Sequence, residues 1–186
     1  MWPPEHLAFA YLLTSVVLRF TTDRPPGRAE AFVVVLASQL PDLVDKPLAW
    51  GLSVLPSGRS FAHSMFTLAP LSLLVVALAV RRDRAAAGIA FVVAYASHLA
   101  GDIAYPLVVD GELRYDFLFW PLRSDAAGSA DATAFLPHVR ELVVEFLGFL
   151  ASPRGVAYLG IDVIFFTLVV LLWAVDGAPG LPDRHG

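Results

Sequence analysis

The chain has 186 residues, of which 57% are hydrophobic and 16% are charged. Soluble domains carry about 45–50% apolar and about 25% charged residues, so a disordered chain is excluded and a polytopic membrane protein is the first class to consider. The net charge is −4 and one of the 13 basic residues is a lysine, which excludes a basic surface for nucleic acid. No cysteine is present, so disulfides and thiolate ligands are excluded.

The first two apolar segments are short. Residues 7–18 and 31–40 are uncharged, and their lengths suit a buried or re-entrant helix as well as a spanning one. We predict a helix in each, over about residues 7–20 and 29–40, and leave open whether either helix spans the membrane.

Three further segments are long enough to cross a bilayer. Residues 60–80 contain no charged side chain, 85–109 contain only Asp102, and 155–175 contain only Asp162. The sequence therefore predicts an all-α, polytopic membrane bundle of about five membrane-spanning or membrane-embedded helices. A single domain is expected over residues 1–186, because too few residues remain for a second one.

Residues 140–150 have a different pattern. Glu141 and Glu145 recur at helical spacing opposite Val143, Leu147 and Leu150, which predicts an amphipathic helix at an interface or against the bundle. The chain then ends in a Gly- and Pro-rich segment, residues 176–186, which we expect to be a flexible tail.

Arginines concentrate in two short connections, at Arg24 and Arg28 and at positions 81, 82 and 84. The positive-inside rule places both connections in the cytoplasm. The expected protein is therefore a multi-pass protein of the cell (inner) membrane, with loops 41–59 and 110–137 on the extracytoplasmic side.

With the chain placed in the membrane in this way, seven titratable side chains from five segments lie near the extracytoplasmic side of the membrane. They are His6, Asp42, Asp45, His63, His98, Asp102 and Asp162. An unpaired charge in hydrocarbon costs roughly 2.5–3.5 kcal/mol even on a lenient scale, so this gathering indicates a site at the extracytoplasmic face.

His98 and Asp102 are four residues apart, so a helix places them on one face. Such a pair is a structural hydrogen bond, a proton relay or a pair of metal ligands. Three imidazoles and several carboxylates without thiolates match what zinc or manganese accepts, and catalytic zinc takes three protein ligands and leaves a position for water. Simpler interpretations also stand: Asp45 can pair with Lys46, and Asp162 can pair with Arg154 or Arg140.

Five sequence elements, taken together, resemble the YdjM-like family of membrane-bound, metal-dependent hydrolases. They are His6, Leu-Pro-Asp-Leu-Val-Asp at 40–45, Arg-Ser-Phe-Ala-His-Ser at 59–64, His-Leu-Ala-Gly-Asp at 98–102 and Phe-Trp-Pro-Leu at 119–122. The stretch 98–107 is also remotely similar to the zinc phospholipase C and single-strand nuclease superfamily. The resemblance covers roughly residues 6–122 and implies hydrolase chemistry at a divalent metal.

The chain departs from these patterns at several positions. Gly58 stands where the YdjM-like family commonly has a histidine, and Asp42 and Asp45 are three apart, which leaves open which of them binds metal. The superfamily has further histidines at the positions of Ala104 and Val108. A site of one or two metals is therefore expected in place of a trinuclear cluster.

The leading hypothesis is an integral-membrane hydrolase that cleaves a phosphoester by metal-activated water. The expected metal, most simply Zn with Mn or Mg as alternatives, is bound by His6, Asp42, His63, His98 and Asp102. Catalytic roles are assigned to Asp45 and Asp102, with Asp45 as ligand, supporting residue or proton acceptor. Supporting or substrate-binding roles are assigned to Arg59, Ser64 and Asp162.

The expected substrate is a membrane lipid headgroup or another amphiphilic phosphoester, and no nucleic-acid partner is expected. The sequence leaves the oligomeric state open. Two alternative functions belong to other classes: a proton- or cation-coupled transporter, and a metal-stabilised membrane scaffold without catalysis. A transporter needs polar residues through the full membrane depth, and residues 71–80 and 89–95 offer almost none.

Overall fold

The computed structural model describes residues 1–109, 111–123 and 135–181, and this part of the chain is helical. It contains six α-helices, and no sheet is formed among the described residues. In chain order the helices are α1 (Pro3–Thr22), α2 (Arg28–Lys46), α3 (Met65–Val80), α4 (Ala85–Val109), α5 (Phe135–Leu150) and α6 (Pro153–Val175). The expected loop 110–137 and tail 176–186 lie partly outside the described residues.

The first two helices are longer than their uncharged cores because each gains a capped first turn. Pro3 and Pro4 open α1, where a missing N–H costs nothing, and the Glu5 carboxylate accepts the backbone N–H of Trp2 at 3.0 Å. In α2 the Glu30 carboxylate accepts the N–H of Gly27 at 2.9 Å. Each glutamate satisfies an amide that the helix itself cannot pair.

The helix expected over residues 60–80 begins at Met65 instead. Ser64 is its N-cap, with a side-chain oxygen that accepts the Phe66 N–H at 3.1 Å. Because the N–H groups of Ser60, Ala62 and His63 are all bonded to one carboxylate of α2, residues 60–63 form a loop. His63 therefore precedes α3 and does not lie on it.

The centre of the bundle is α4, which contacts α1, α2 and α3. Small side chains allow this close packing: Ala8 and Ala10 of α1, Ala37 of α2, and Ala90 and Ala94 of α4 are almost completely buried in one cluster. Short side chains let neighbouring backbones approach closely, as is common where helices pack in membranes.

Two of the described helices, Ala85–Val109 and Pro153–Val175, are long and apolar enough to cross a membrane. Met65–Val80 is apolar but has 16 residues. Two of the five predicted spans are thus supported by the length and hydropathy of a helix. The amphipathic helix expected over 140–150 occurs as α5, which lies against α6 and against the π-helical turn Pro47–Gly51.

The bundle has two distinct ends, fixed by the helix directions. The beginnings of α1, α3 and α6 and the end of α2 lie at one end, which we call the histidine end because His6, His63 and His98 meet there. The opposite end contains the arginines of the 22–28 and 80–85 connections, and we call it the arginine end.

Candidate metal centre

The side chains of His63 and His98 meet at their Nε2 atoms, which are 3.1 Å apart. The Nδ1 atom of His63 lies 2.8 Å from the Asp45 carboxylate, and that of His98 lies 2.6 Å from the Ser38 carbonyl oxygen. Since both neighbours are acceptors, each Nδ1 carries the hydrogen in the neutral ring. The two Nε2 lone pairs then face each other, an arrangement that requires a cation or a proton between them.

Two carboxylate oxygens complete this group of donors. Asp42 Oδ1 lies 3.5 Å from Nε2 of His63 and 3.7 Å from Nε2 of His98. Asp102 Oδ2 lies 3.4 and 3.9 Å from the same two nitrogens. Ligands of a tetrahedral zinc ion at about 2.1 Å are about 3.4 Å apart, so each carboxylate oxygen has close to the spacing of a metal site relative to the two nitrogens.

The carboxylates are the less buried members of this group. His63 and His98 are fully buried, whereas Asp42 and Asp102 are 8% and 6% exposed. The edge between the two carboxylates, here called the carboxylate edge, is therefore the side of the group nearest the surface.

Asp45 holds the loop that carries His63. Its two oxygens accept the backbone N–H groups of Ser60 at 2.8 Å, Ala62 at 2.8 Å and His63 at 3.2 Å, and they also accept His63 Nδ1–H. Tyr95 of α4 supports the same loop by donating its hydroxyl hydrogen to the Ala62 carbonyl at 2.5 Å. Asp45 is completely buried, so it acts on the site through His63.

His6 lies beside the four donors. Its ring stacks on that of His98 with centroids 3.7 Å apart and planes 15° apart, and its Nε2 lies 3.2 Å from Asp102 Oδ1. His6 therefore contacts Asp102, and with His98 and Asp102 it forms a second group of closely spaced donor atoms.

Two further observations indicate that the residues of this site suit a metal ion. Both ring nitrogens of His6 are buried, and neither forms a well-aligned hydrogen bond in the described part of the chain, although Nε2 lies 3.2 Å from Asp102 Oδ1. Two groups of buried residues place one donor atom each within 4.8 Å of one another: His6, His98 and Asp102, and Asp42, His63 and His98. Nitrogen and carboxylate oxygen donors without thiolates suit zinc or manganese.

Positive groups adjoin both carboxylates. The Lys46 ammonium pairs with Asp42, and the N-terminal ammonium lies 3.2 Å from Asp102 Oδ1. Lys46 thus pairs with Asp42, one turn away, rather than with Asp45. Burial disfavours a charged His63 ring, but hydrogen bonds with Asp102, Asp42 and Asp45 outweigh it and raise the pKa of His63 to about 10. The site therefore attracts positive charge.

Arg59 and Ser64 stand immediately before and after the 60–63 loop in the chain. The Arg59 guanidinium lies over the Phe117 ring, 5.5 Å from its centroid, and the same ring meets His63 edge-on. Ser64 donates its hydroxyl hydrogen to the Trp120 carbonyl at 2.6 Å. Ser64 therefore joins the start of α3 to the Trp-Pro element, and Arg59 contacts the same aromatic ring as His63.

Asp162 lies apart from the four donors. It interacts with Glu5 and with the hydroxyl of Tyr158, which also bonds to the Glu5 carboxylate. This contact joins α6 to the first turn of α1, next to His6. Asp162 therefore lies near the candidate metal centre but is not one of its four donors. The pairing with Arg154 or Arg140 considered above is absent from the contacts among described residues.

The space beside Gly58 is taken by an aromatic ring. A Cβ atom at this position would lie 2.8 Å from Cζ2 of the Trp50 indole. A histidine side chain therefore has no room at position 58 while Trp50 keeps this position.

Three residues of the site escaped the sequence analysis. The Ser38 carbonyl fixes the tautomer of His98, Tyr95 holds the Ala62 carbonyl, and Gly101 leaves room for His6. Gly101 lies inside the His-Leu-Ala-Gly-Asp element, so its place in this motif was a sequence signal for a role in the site. No sequence pattern marks a backbone carbonyl such as that of Ser38.

Comparison with known proteins gives a family and no individual relative. The family model described as YdjM inner membrane protein matches residues 1–178. Searches of curated proteins and of solved structures returned no match. Because the family model covers almost the whole chain, the protein belongs to the YdjM inner membrane protein family.

Proposed function

We propose that this member of the YdjM inner membrane protein family is a metal-dependent hydrolase that cleaves the phosphoester of a membrane lipid or another amphiphile. The observation that carries the proposal is the convergence of two Nε2 lone pairs and two carboxylate oxygens at the histidine end of a membrane bundle. A phosphoester headgroup at the membrane surface can approach the carboxylate edge.

His63, His98, Asp42 and Asp102 would hold the metal, and zinc agrees best with this donor set, with Mn or Mg as alternatives. When bound, a divalent metal stabilises charge on phosphoryl oxygens and makes water a better nucleophile. Asp45 and Ser38 keep the ring hydrogens on Nδ1 and so direct both Nε2 atoms inward.

Proton transfer is assigned to Asp102. Its Oδ2 belongs to the four converging donors, whereas its Oδ1 faces Nε2 of His6. Asp45 accepts four N–H groups, which leaves Asp102 as the better proton acceptor. We assign substrate contact to Arg59, which lies over the Phe117 ring that also contacts His63.

The proposed topology has five crossings, by α1, α2, α3, α4 and α6, with α5 at the membrane surface. The arginine end is cytoplasmic by the positive-inside rule, so the histidine end is extracytoplasmic. The many exposed apolar side chains of α6, such as Ile161, Ile164 and Leu168, support a lipid-facing position.

The first test is metal content. Purified protein is expected to contain zinc, and His63→Ala and His98→Ala are expected to lose it. His138→Ala, on α5 and outside the donor group, is the matched control and should retain it. Equal metal content in all variants, or no metal in the wild type, contradicts the proposed site.

The second test is hydrolysis of a phosphoester panel with and without a chelator. We expect activity on lipid-like esters that disappears on chelation and returns with zinc. Bound metal without hydrolysis of any ester favours the scaffold function, and activity that is indifferent to chelation excludes the metal mechanism.

A further inference from the structure

A second concave feature lies outside the metal centre, where α1, α2 and α6 meet. It is a groove of about 300 Å³. Its lining is almost entirely apolar and comprises Pro4, Leu7, Ala8, Tyr11, Ala31, Val35, Phe166, Val169, Val170, Trp173 and Pro179. We call it the α1–α2–α6 groove.

The groove and the metal centre lie on different sides of α1. Leu7, Ala8 and Tyr11 share one helical face by their spacing and line the groove. His6 points to α4, where it stacks on His98. A molecule in the groove therefore does not reach the proposed catalytic residues.

The groove extends toward the arginine end, where Arg28 follows the same face of α2. Arg28, Ala31 and Val35 are separated by three and four residues, so they share one face of α2. Arg28 is exposed, and no ion pair or hydrogen bond joins it to another described residue. It is a cation beside the end of an apolar groove.

The neighbouring charges do not compete for Arg28. Glu30 is the nearest acidic residue in the sequence, but it pairs with Arg24 at 2.7 Å and accepts the N–H of Gly27. The positive charge of Arg28 therefore remains available for a ligand.

We propose that the α1–α2–α6 groove binds one phospholipid, with an acyl chain along the groove and the headgroup phosphate at Arg28. The apolar lining suits a hydrocarbon chain, and a guanidinium forms paired hydrogen bonds with phosphate oxygens. Trp173 lines the groove and donates its indole hydrogen to the Pro179 carbonyl at 3.1 Å. An indole in this position is typical of the headgroup level. The site is independent of hydrolysis at the metal centre.

The test is native mass spectrometry of protein that has been stripped of lipid and titrated with phosphatidylglycerol. The wild type is expected to bind one molecule per chain. Val35→Trp and Val170→Trp fill the groove and should abolish binding. Arg28→Gln should weaken it by about tenfold or more, the effect of one charge-assisted contact.

Matched controls separate the site from general lipid adhesion. Leu74→Trp is on an exposed face of α3, and Arg84→Gln is an exposed arginine at the same end of the bundle. Both controls should bind like the wild type. A parallel titration with inorganic phosphate separates a lipid from a free phosphate, which the groove is expected to bind too weakly to detect.

Three outcomes would overturn the proposal. The first is wild-type lipid binding by both groove-filling variants, and the second is equal loss in the controls. The third is a dimer of the wild type that both groove-filling variants disrupt without a change in lipid binding, because a second copy of the chain would then occupy the groove. Zinc content is measured in every variant and should not change, so failure here is distinguishable from failure of the proposed hydrolase.

Discussion

Individual hydrogen bonds determine what the histidines can do. Asp45 and the Ser38 carbonyl each take one Nδ1 hydrogen, so a proton or a cation must lie between the Nε2 atoms of His63 and His98, which are 3.1 Å apart. In the proposed metal centre, a metal ion would contact both nitrogens and the two carboxylates together. The proposed chemistry thus depends on Asp45 and Ser38, which would not contact the metal.

Asp45→Asn is expected to lower zinc affinity by about 10–100-fold, the usual effect of removing a partner that orients a ligand. The amide presents an N–H₂ group to a loop that offers only N–H donors, so the loop and His63 shift. Zinc affinity is measured by competition with a chromophoric chelator. Asp83→Asn, in an exposed turn, should match the wild type, and an unchanged affinity in Asp45→Asn would contradict the role of Asp45.

Gly101→Ala is expected to destabilise the fold by about 1–3 kcal/mol, as extra volume does in a packed interior. Its Cβ would lie 2.5 Å from the Met1 sulfur and 3.3 Å from Nδ1 of His6, whose ring is already stacked on His98. Thermal unfolding in detergent measures the effect. Gly160→Ala is the control, because nothing lies within 4 Å of a Cβ there; equal melting of the two variants would exclude the contact.

At the scale of helices, α1 and α6 are joined at both ends. At the histidine end, Tyr158 bonds to Glu5. Toward the other end, the buried Asp176 carboxylate accepts hydrogen bonds from Tyr11 at 2.8 Å, from Ser15 at 2.7 Å and from Arg19. The chain after α6 is therefore attached to α1 at the first residue of the expected tail.

Asp176→Ala is expected to destabilise the protein by about 1–3 kcal/mol, because the buried hydroxyls of Tyr11 and Ser15 lose their acceptor. The free energy of unfolding from denaturant titration is the measurement. Asp116→Ala removes an exposed partner of Arg123 and should change little. Similar values for the two variants would show that the contact contributes nothing.

The sequence predicted most helices because charge-free runs determine where a chain can enter a membrane. It misplaced the start of α3, since residues 60–63 are held by Asp45, which is 15 or more positions earlier. It left open which of Asp42 and Asp45 binds metal, because a spacing of three puts both on one helical face. The structure distinguishes them, because the loop that carries His63 bonds to both oxygens of Asp45. The contact of Asp162 with Tyr158 and Glu5 depends likewise on tertiary packing.

For the whole molecule, the two short connections support the proposed orientation. They hold five arginines within a few residues, and the candidate metal residues lie at the other end of the bundle. Both loops of the arginine end are short, which is the condition under which the positive-inside rule holds best.

Labelling of single cysteines should report this orientation, since the chain has none of its own. We expect Arg82→Cys to react with an impermeant maleimide in inside-out vesicles and Glu112→Cys to react in right-side-out vesicles. Both positions are exposed, so access depends on the membrane alone. The reverse pattern would place the metal centre in the cytoplasm.

The order of residues at the centre has a consequence for biosynthesis. His6, Asp42, Asp45, His63, His98 and Asp102 all precede the end of α4. Domains form from the N-terminus during synthesis, so the ligand set is complete while α5 and α6 are still to be translated. A chain that ends after Val109, inserted into vesicles during translation, is expected to retain zinc, and failure to do so would show that α6 is needed first. The proposed metal centre would thus mature before release from the ribosome, and the contacts of Tyr158 and Asp176 would join the last helix to α1 afterwards.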